Sequence, residues 1–550
     1  MPLIGVEAGA ASAVAWLAAA SVSAYLADWL GLPLAPFAVL ALALGAALAV
    51  HLRLRRVSAS DRPAAAAFTL IVLGTFAWLM WRARPDYLPT GTGSDLTHHL
   101  ALIAYIEQHR RLPHDAALGA WLGEMVDYTP GLHLLAVMAG AWLRRDGLHV
   151  LHALVALTAG LKSGLVFLIA RRLMPNGVPR LPFAIGAVLL LWLPYPFFVG
   201  SFMAQSFLAQ VVSELFAIAM WWAIVVWDER PSAWAAALFA LSGTAAFLTW
   251  PLWIGPLALT LAVVALVRGE IRWASRAQHL TIALAPIAIV AAIYAASRQV
   301  YGFRMVNAVG FALWPTPRAL TGAFTIAAML GMLWCLRQPR ARTAVILFAA
   351  IVLQGIALIA TGLNSGATAP YLSLKMVYLA IYPLAVAAAV LIASAWREVT
   401  RRPARTPRLA WVAVVVAILG LTLSAARVVA FPPPLTPVVT QPLFLAGEWA
   451  RAHLPPACVD YLVADGDSGY WLHLAVLGNP RAAGRALDND TFEPRKAIVR
   501  WILQGGLPYA IAGNFDALPR DIRTSVDVLA SFGPAAVLQR RGSSACDSTP

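Results

Sequence analysis

Residues 203–227 read MAQSFLAQVVSELFAIAMWWAIVVW, a run holding one charged side chain, Glu214. Its length and composition meet the need for about 20 predominantly apolar residues in a membrane-crossing helix. Charge returns past its end, at Asp228, Glu229 and Arg230. Outward from this stretch the same signature recurs at 9–30, 33–52, 64–82, 148–170, 181–200, 233–250, 251–267, 278–297, 318–336, 343–361, 372–393 and 408–430, giving thirteen expected spans in 550 residues.

Composition points the same way. Hydrophobic residues make up 60% of the chain, charged residues 12%, and Trp occurs 21 times. A soluble domain carries about 25% charged residues, so this chain cannot cover a water-soluble body of its size. The fold class is a polytopic α-helical membrane protein. A net charge of +15 would suggest nucleic acid in a soluble chain. Here the arginines form short clusters between apolar runs and no tract alternates basic residues with aromatics, which excludes nucleic acid as a partner.

The arginine clusters also orient the chain. Arg53, Arg55 and Arg56; Arg171 and Arg172; Arg230; Arg268, Arg272 and Arg276; Arg337, Arg340 and Arg342; and Arg397, Arg401, Arg402 and Arg405 all fall on one face if the N-terminus is cytoplasmic. The opening MPLIGVEAGA has neither a charged n-region nor a cleavage site, so the first run is expected to stay as an anchor. Residues 1–430 then form a transmembrane module whose long outward loop is 83–147, with further outward loops at 298–317 and 362–371. Residues 431–550 form an extracytoplasmic domain. That tail opens on Phe431-Pro432-Pro433-Pro434 and alternates strand-like and helical runs (Leu443 to His453, Val459 to Ala464, Ala497 to Leu503, Tyr509 to Ala512, Ile522 to Leu529, Ala535 to Leu538), the pattern of a small α/β domain. Cys458 and Cys546 lie in this region, where an oxidising compartment permits one disulfide.

Polar groups near the bilayer are costly and point to function. The first outward loop contains Gly91-Thr92-Gly93-Ser94-Asp95-Leu96-Thr97-His98-His99, then Tyr105, Glu107 and His109, then Glu124, Asp127, Tyr128-Thr129-Pro130-Gly131 and His133. Asp95 shares a helical face with one of the two histidines at i, i+3 or i, i+4. A carboxylate beside an imidazole suits general-base catalysis; the competing reading is an N-cap aspartate with two interfacial histidines. No HExxH or paired-carboxylate signature is present, and no metal site is expected. Lys375, one of only three lysines, stands at the outward start of a span beside Tyr371 and Tyr378, either as a phosphate ligand or as a snorkelling anchor. Arg298 and Arg304 sit on another outward loop and are a possible second phosphate contact. Lys162 lies inside the fourth span, facing a cavity or a polar partner. Glu214 is expected to bond a neighbouring helix, and Trp250-Pro251 to break a helix at an outward turn. His473, Asp465, Asp467, Asp488 and Asp490 read as surface groups of the tail.

An acid early in a long first outward loop, then Tyr128-Thr129-Pro130-Gly131-Leu132-His133, then a span ending in Ala170-Arg171-Arg172-Leu173, resembles the GT-C superfamily of polytopic glycosyltransferases. Members use polyprenyl-phosphate-linked sugars and include aminoarabinose, arabinofuranosyl and protein O-mannosyl transferases. The resemblance covers roughly 64–430. It departs in two extra helices before the loop and in a single Asp95, with Ser94 beside it. It implies a helix lying along the interface over Gly131 to Leu143 and an inverting transfer at the outer face of a bacterial inner membrane. Asp95 would be the general base, and Lys375, backed by Arg304 or Arg298, would neutralise the leaving phosphate. His98, His99, Tyr128, His133 and Tyr371 would bind substrate. The partners implied are the lipid-linked donor, a glycan, lipid or protein acceptor, and the bilayer; no cofactor is implied. The alternative is a transporter or flippase of a lipid-linked or anionic solute, which would call for a midplane cavity and usually an internal repeat. A third reading, an assembly protein whose tail recruits partners, would leave Asp95 without effect.

Overall fold

The computed structural model describes residues 3–55, 58–59, 61–90, 94–268, 271–297, 310, 312–364, 370–401, 420, 423–430, 435, 439–476, 497, 499, 501 and 507–543. The side chains of Ser58, Ala59, Ser94, Asp95, Ala120, Trp121, Arg401, Leu474 and Ala475 lie outside that description. The principal helices are α1 (Gly5–Trp29), α2 (Pro36–Arg55), α3 (Arg62–Arg82), α4 (Ser94–His109), α5 (Gly131–Leu143), α6 (Gly147–Leu173), α7 (Arg180–Leu190), α8 (Leu208–Glu229), α9 (Ala233–Thr249), α10 (Ile254–Val267), α11 (Trp273–Ser297), α12 (Gly322–Cys335), α13 (Arg342–Asn364), α14 (Tyr371–Arg401) and α15 (Gln441–His453).

Among the described residues eight helices are long and apolar enough to cross a membrane: α1, α2, α3, α6, α8, α11, α13 and α14. The expected spans at 181–200, 233–250, 251–267 and 318–336 hold the shorter apolar helices α7, α9, α10 and α12. The thirteenth, 408–430, falls outside the described residues except for 420 and the helical 423–430. The 181–200 run is not one helix. α7 stops at Leu190, and Tyr195–Phe197 forms a separate 3-10 turn between Pro194 and Phe198. Pro194 and Pro196 cause the break, since proline lacks the amide donor and restricts the residue before it. Likewise Trp250 ends α9 in extended conformation and Pro251 starts a new turn.

Burial ranks the helices. The most apolar window of α8 is 100% buried and that of α6 89%, against 17% for α2, so α6 and α8 form the centre and α2 turns most of its surface to lipid. Close approach of α3 to α6 needs small residues. A Cβ on Gly160 would stand 2.7 Å from the Val72 carbonyl oxygen, and one on Gly164 2.5 Å from the Phe68 ring. This is the small-xxx-small contact that lets membrane helices meet at backbone distance.

A buried polar knot ties the centre. Lys162 Nζ donates to Glu214 Oε2 at 2.5 Å, the Tyr382 hydroxyl donates to the same oxygen at 2.6 Å, and Gln210 Nε2 donates to Oε1 at 3.1 Å. Lys162 therefore has a polar partner, and Glu214 bonds α6 and α14 as expected of an interhelical group. Breaking such a pair from one side strands a buried charge, at a cost of about 3–5 kcal/mol. Lys162→Met should lower the melting temperature in detergent sharply, and adding Glu214→Leu should restore most of it. An unchanged melting temperature in the single variant would refute the structural role.

The C-terminal residues form a four-stranded sheet ordered β3-β4-β6-β5, where β3 is Val459–Leu462, β4 Tyr509–Ala512, β5 Val526–Phe532 and β6 Ala535–Arg540; a two-residue pair, β1 (Leu3–Ile4) and β2 (Ser58–Ala59), lies near the N-terminus. β3 and β4 run parallel, and the β4–β6 and β6–β5 pairs antiparallel. Side chains alternate along the strands: Ile511 and Val537 join the core shared with the helical bundle, while Ala510, Ala512 and Leu538 join a second small core with Trp501 and Ile522. One face of the sheet is thus packed into the same core as the helices, through α15. Cys458 is disulfide-bonded and Cys335 is a buried free thiol; Cys546 lies outside the described residues.

Candidate active site

The long segment between α3 and α6 supplies α4, and α4 supplies two adjacent histidines that face different partners. His98 Nδ1 lies 2.8 Å from Glu124 Oε1 and Nε2 lies 2.6 Å from the Tyr470 hydroxyl. A carboxylate only accepts, so Nδ1–H donates to Glu124 and, in the neutral ring, Nε2 accepts from the phenol. Gly123, at φ +56°, brings Glu124 there; a Cβ on it would lie 3.5 Å from the His98 ring. Partial burial raises the Glu124 carboxyl, but the His98 hydrogen bond, the charge on His98 and smaller contributions from its own backbone and His99 together outweigh it and hold the group below the usual carboxylate range. Tyr470 ends a short helix, Gly466–Trp471, that Asp465 caps by accepting from the Ser468 amide at 2.8 Å.

His99 faces the bundle. Its Nδ1 is 2.8 Å from Nε2 of His133, the rings stack at 5.1 Å, and Tyr128 meets the His99 ring edge-on at 5.1 Å. All three are buried. The Tyr128-Thr129-Pro130-Gly131 turn is pinned: Thr129 Oγ1 donates to the Thr249 carbonyl at 3.0 Å, and a Cβ on Gly131 would stand 2.8 Å from the Leu248 carbonyl oxygen. Glycine is required there for α5 to start against α9. Burial first, then neighbouring His99, push the His133 imidazole well below its ordinary value, so this residue stays neutral.

Lys375 opens the inner face of α14, where Tyr371, Lys375, Tyr378 and Tyr382 share one stripe by spacing. The lysine is buried, with Nζ 2.8 Å from the Phe207 ring centroid, 5.2 Å from that of Tyr371 and 5.4 Å from that of Tyr378. Aromatic faces are a natural cradle for an ammonium group. The Tyr378 hydroxyl is fixed by donating to Gln205 Oε1 at 2.7 Å. Ser206, beside Phe207, donates to the Thr90 carbonyl at 3.0 Å. That bond joins the segment under Lys375 to the segment that enters α4. Asp95 lies in the first turn of α4, but its side chain, and all of Arg298 and Arg304, fall outside the described residues. Among the described residues no group of three or more His, Cys, Asp or Glu side chains is placed to hold a metal.

The tail docks through named contacts. The Gln441 amide donates to Asp86 Oδ1 at 2.9 Å, and Phe444 meets the His149 ring edge-on at 4.8 Å. His473, expected at the surface, is instead buried, and its Nδ1 lies 2.9 Å from the Tyr461 hydroxyl; the segment carrying it packs against α4. Burial pushes its imidazole down to about 4. Nearby, burial pushes Glu107 up to about 7 although its Oε1 accepts from the Gly147 amide at 2.5 Å. A carboxyl that holds its proton more tightly when folded contributes stability fully present below about pH 4.5 and lost as pH rises through about 7. Glu107→Gln should therefore flatten the melting temperature between about pH 5 and 8 and make the variant the more stable protein at the alkaline end, by about 3 kcal/mol at most. Parallel pH profiles of wild type and variant would contradict this.

No family model and no curated protein matches the chain. Solved structures do. The Archaeoglobus fulgidus oligosaccharyltransferase in its apo form is similar over 82% of this chain and 70% of that one, at 14% identity and a TM-score of 0.50. The archaeal oligosaccharyltransferase AglB from Archaeoglobus fulgidus, in complex with an inhibitory peptide and a dolichol-phosphate, covers 82% of this chain and 69% of its own, at 14% identity and a TM-score of 0.49. ArnT from Cupriavidus metallidurans, bound to undecaprenyl phosphate, covers 86% and 98%, at 15% identity and a TM-score of 0.49. This chain shares the fold of the Archaeoglobus fulgidus oligosaccharyltransferase.

Proposed function

We propose that the chain transfers a sugar from a polyprenyl-phosphate donor to a hydroxyl-bearing envelope acceptor, a glycan, lipid or protein, at the outer face of the inner membrane. The observation that carries this reading is the juxtaposition of a buried lysine on an aromatic cradle with the loop that leads into Asp95, through Ser206 and Thr90. The shared fold with an oligosaccharyltransferase supports it.

In this mechanism Asp95 takes the acceptor hydroxyl proton while that oxygen attacks the anomeric carbon. The bond from that carbon to the phosphate oxygen breaks, and its electron pair leaves with the polyprenyl phosphate, which gains a negative charge. A fixed cation aimed at developing charge acts most strongly away from water, which is the role given to Lys375. His99, His133 and Tyr128 orient substrate as a rigid aromatic group, with Tyr371 flanking the phosphate. Attack opposite the leaving group inverts the anomeric centre. The test is the product of a panel of polyprenyl-phosphate sugars, with the new linkage read by NMR. Inverted configuration is expected, and retention would overturn the mechanism.

Tyr470 is a positioning residue in this scheme, because it holds His98 one turn after Asp95. Tyr470→Phe removes the hydroxyl and keeps the ring. It should lower kcat by about tenfold with donor KM unchanged, since misplacement by about 1 Å costs up to about 10²-fold. A change confined to KM would remove Tyr470 from this role.

A further inference from the structure

A second site lies at the other end of the bundle. α6 begins beside Glu107 and runs 27 residues, about 40 Å at 1.5 Å per residue. At its far end Leu173, with the ends of α8 and α10 and the start of α13, borders an open cavity of about 390 Å³. Its walls are half apolar, from Leu173, Val225 and Val267, and half charged, from Arg268, Arg340 and Arg342 against Asp228 and Glu229.

The lining itself carries three arginines, Arg268, Arg340 and Arg342, against two carboxylates, Asp228 and Glu229. Asp228 is engaged by Arg342, whose Nε donates to it at 3.0 Å, and lies 3.7 Å from Arg268 Nη1. Glu229 accepts from Arg172 Nη1 at 2.6 Å, and Arg172 also pairs with Glu7 at 2.5 Å. Arg171 pairs with Asp61. Two further guanidinium groups, of Arg340 and Arg180, converge on one neutral oxygen, the Asn176 amide, at 2.6 and 3.1 Å. Moreover Arg268 Nη1 is buried and makes no hydrogen bond among the described residues, a costly state for a charged donor.

We propose that this cavity binds the phosphodiester headgroup of an anionic membrane phospholipid, with Arg268 and Arg340 as its phosphate contacts. A phosphate oxygen satisfies Arg268 Nη1, and the planar guanidinium matches phosphate geometry. The surplus positive charge at the ends of membrane helices selects an anionic headgroup, as basic pockets between such helices do. Apolar walls beside the arginines suit the glyceride end of a lipid better than a free anion. The site is independent of the reaction proposed at α4.

The full chain in detergent, titrated with phosphatidylglycerol, phosphatidylcholine or inorganic phosphate, tests this by native mass spectrometry and by melting temperature. Phosphatidylglycerol should bind and raise the melting temperature by several degrees. Arg268→Gln with Arg340→Gln should weaken that binding at least tenfold, and a control pair, Arg53→Gln with Arg55→Gln on the exposed end of α2, should not. Donor turnover should be the same in all three. If the double variant does not survive purification, Arg340→Gln alone decides, because its partner is a neutral amide; it should still weaken phosphatidylglycerol binding severalfold. Equal effects of phosphatidylcholine, unaltered binding in the Arg268/Arg340 variants, or an equal loss in the control pair would overturn the proposal. Inorganic phosphate matching phosphatidylglycerol at the same concentration would overturn the lipid assignment in favour of a soluble anion.

Discussion

Asp95→Asn is expected to reduce sugar transfer by about 10²–10⁴-fold, the usual contribution of a positioned general base, while expression and melting temperature stay as in the wild type. The amide keeps the volume and hydrogen-bonding shape of the acid but cannot take a proton. The residue stands in the first turn of α4, with His98 and His99 three and four residues on. Those histidines are already engaged: His98 by Glu124 and Tyr470, His99 by His133. Both rings are thus held by contacts within the protein, and the base in the proposed mechanism is the carboxylate. Retained turnover in the purified variant would take Asp95 out of the base role and direct attention to Glu124, an exposed acid on the same loop.

Lys375→Met should be the second largest effect. The thioether chain fills the same cradle of Phe207, Tyr371 and Tyr378, so the packing survives and only the charge is lost. Removing one preorganised group that stabilises a developing anion costs about 10²–10³-fold. In kcat/KM for the donor we expect a loss of that size, with acceptor KM little changed. A snorkelling anchor would instead give normal donor kinetics and a modest loss of thermal stability. The buried position of Lys375 already argues against a side chain reaching out to the water interface.

Much of the architecture was legible because a membrane helix advertises itself by length and hydropathy. The limits are equally physical. Hydropathy does not register proline, so 181–200 read as one span although Pro194 and Pro196 end the helix regularity after Leu190. Alternation in the tail located β4 and β6 well, since their two faces enter different cores. The side-chain pairings at the candidate site were not legible. His99 and His133 were each conspicuous, yet their contact spans 34 positions, and Lys162 finds Glu214 across 52. Tyr470 carried no signal at all, because its partner His98 is 372 residues away. His473 read as a surface group from its polar neighbours, and it is buried because its segment packs against α4.

The central claim is that this chain breaks the bond between a sugar and a polyprenyl phosphate. Its most direct test is release of free polyprenyl phosphate by purified wild type and by Asp95→Asn, each incubated with a panel of polyprenyl-phosphate sugars and crude envelope acceptor. Release by the wild type alone is the predicted result. No release from folded protein with any donor, together with movement of the intact donor across vesicles containing the chain, would contradict the claim and make the protein a lipid-solute transporter.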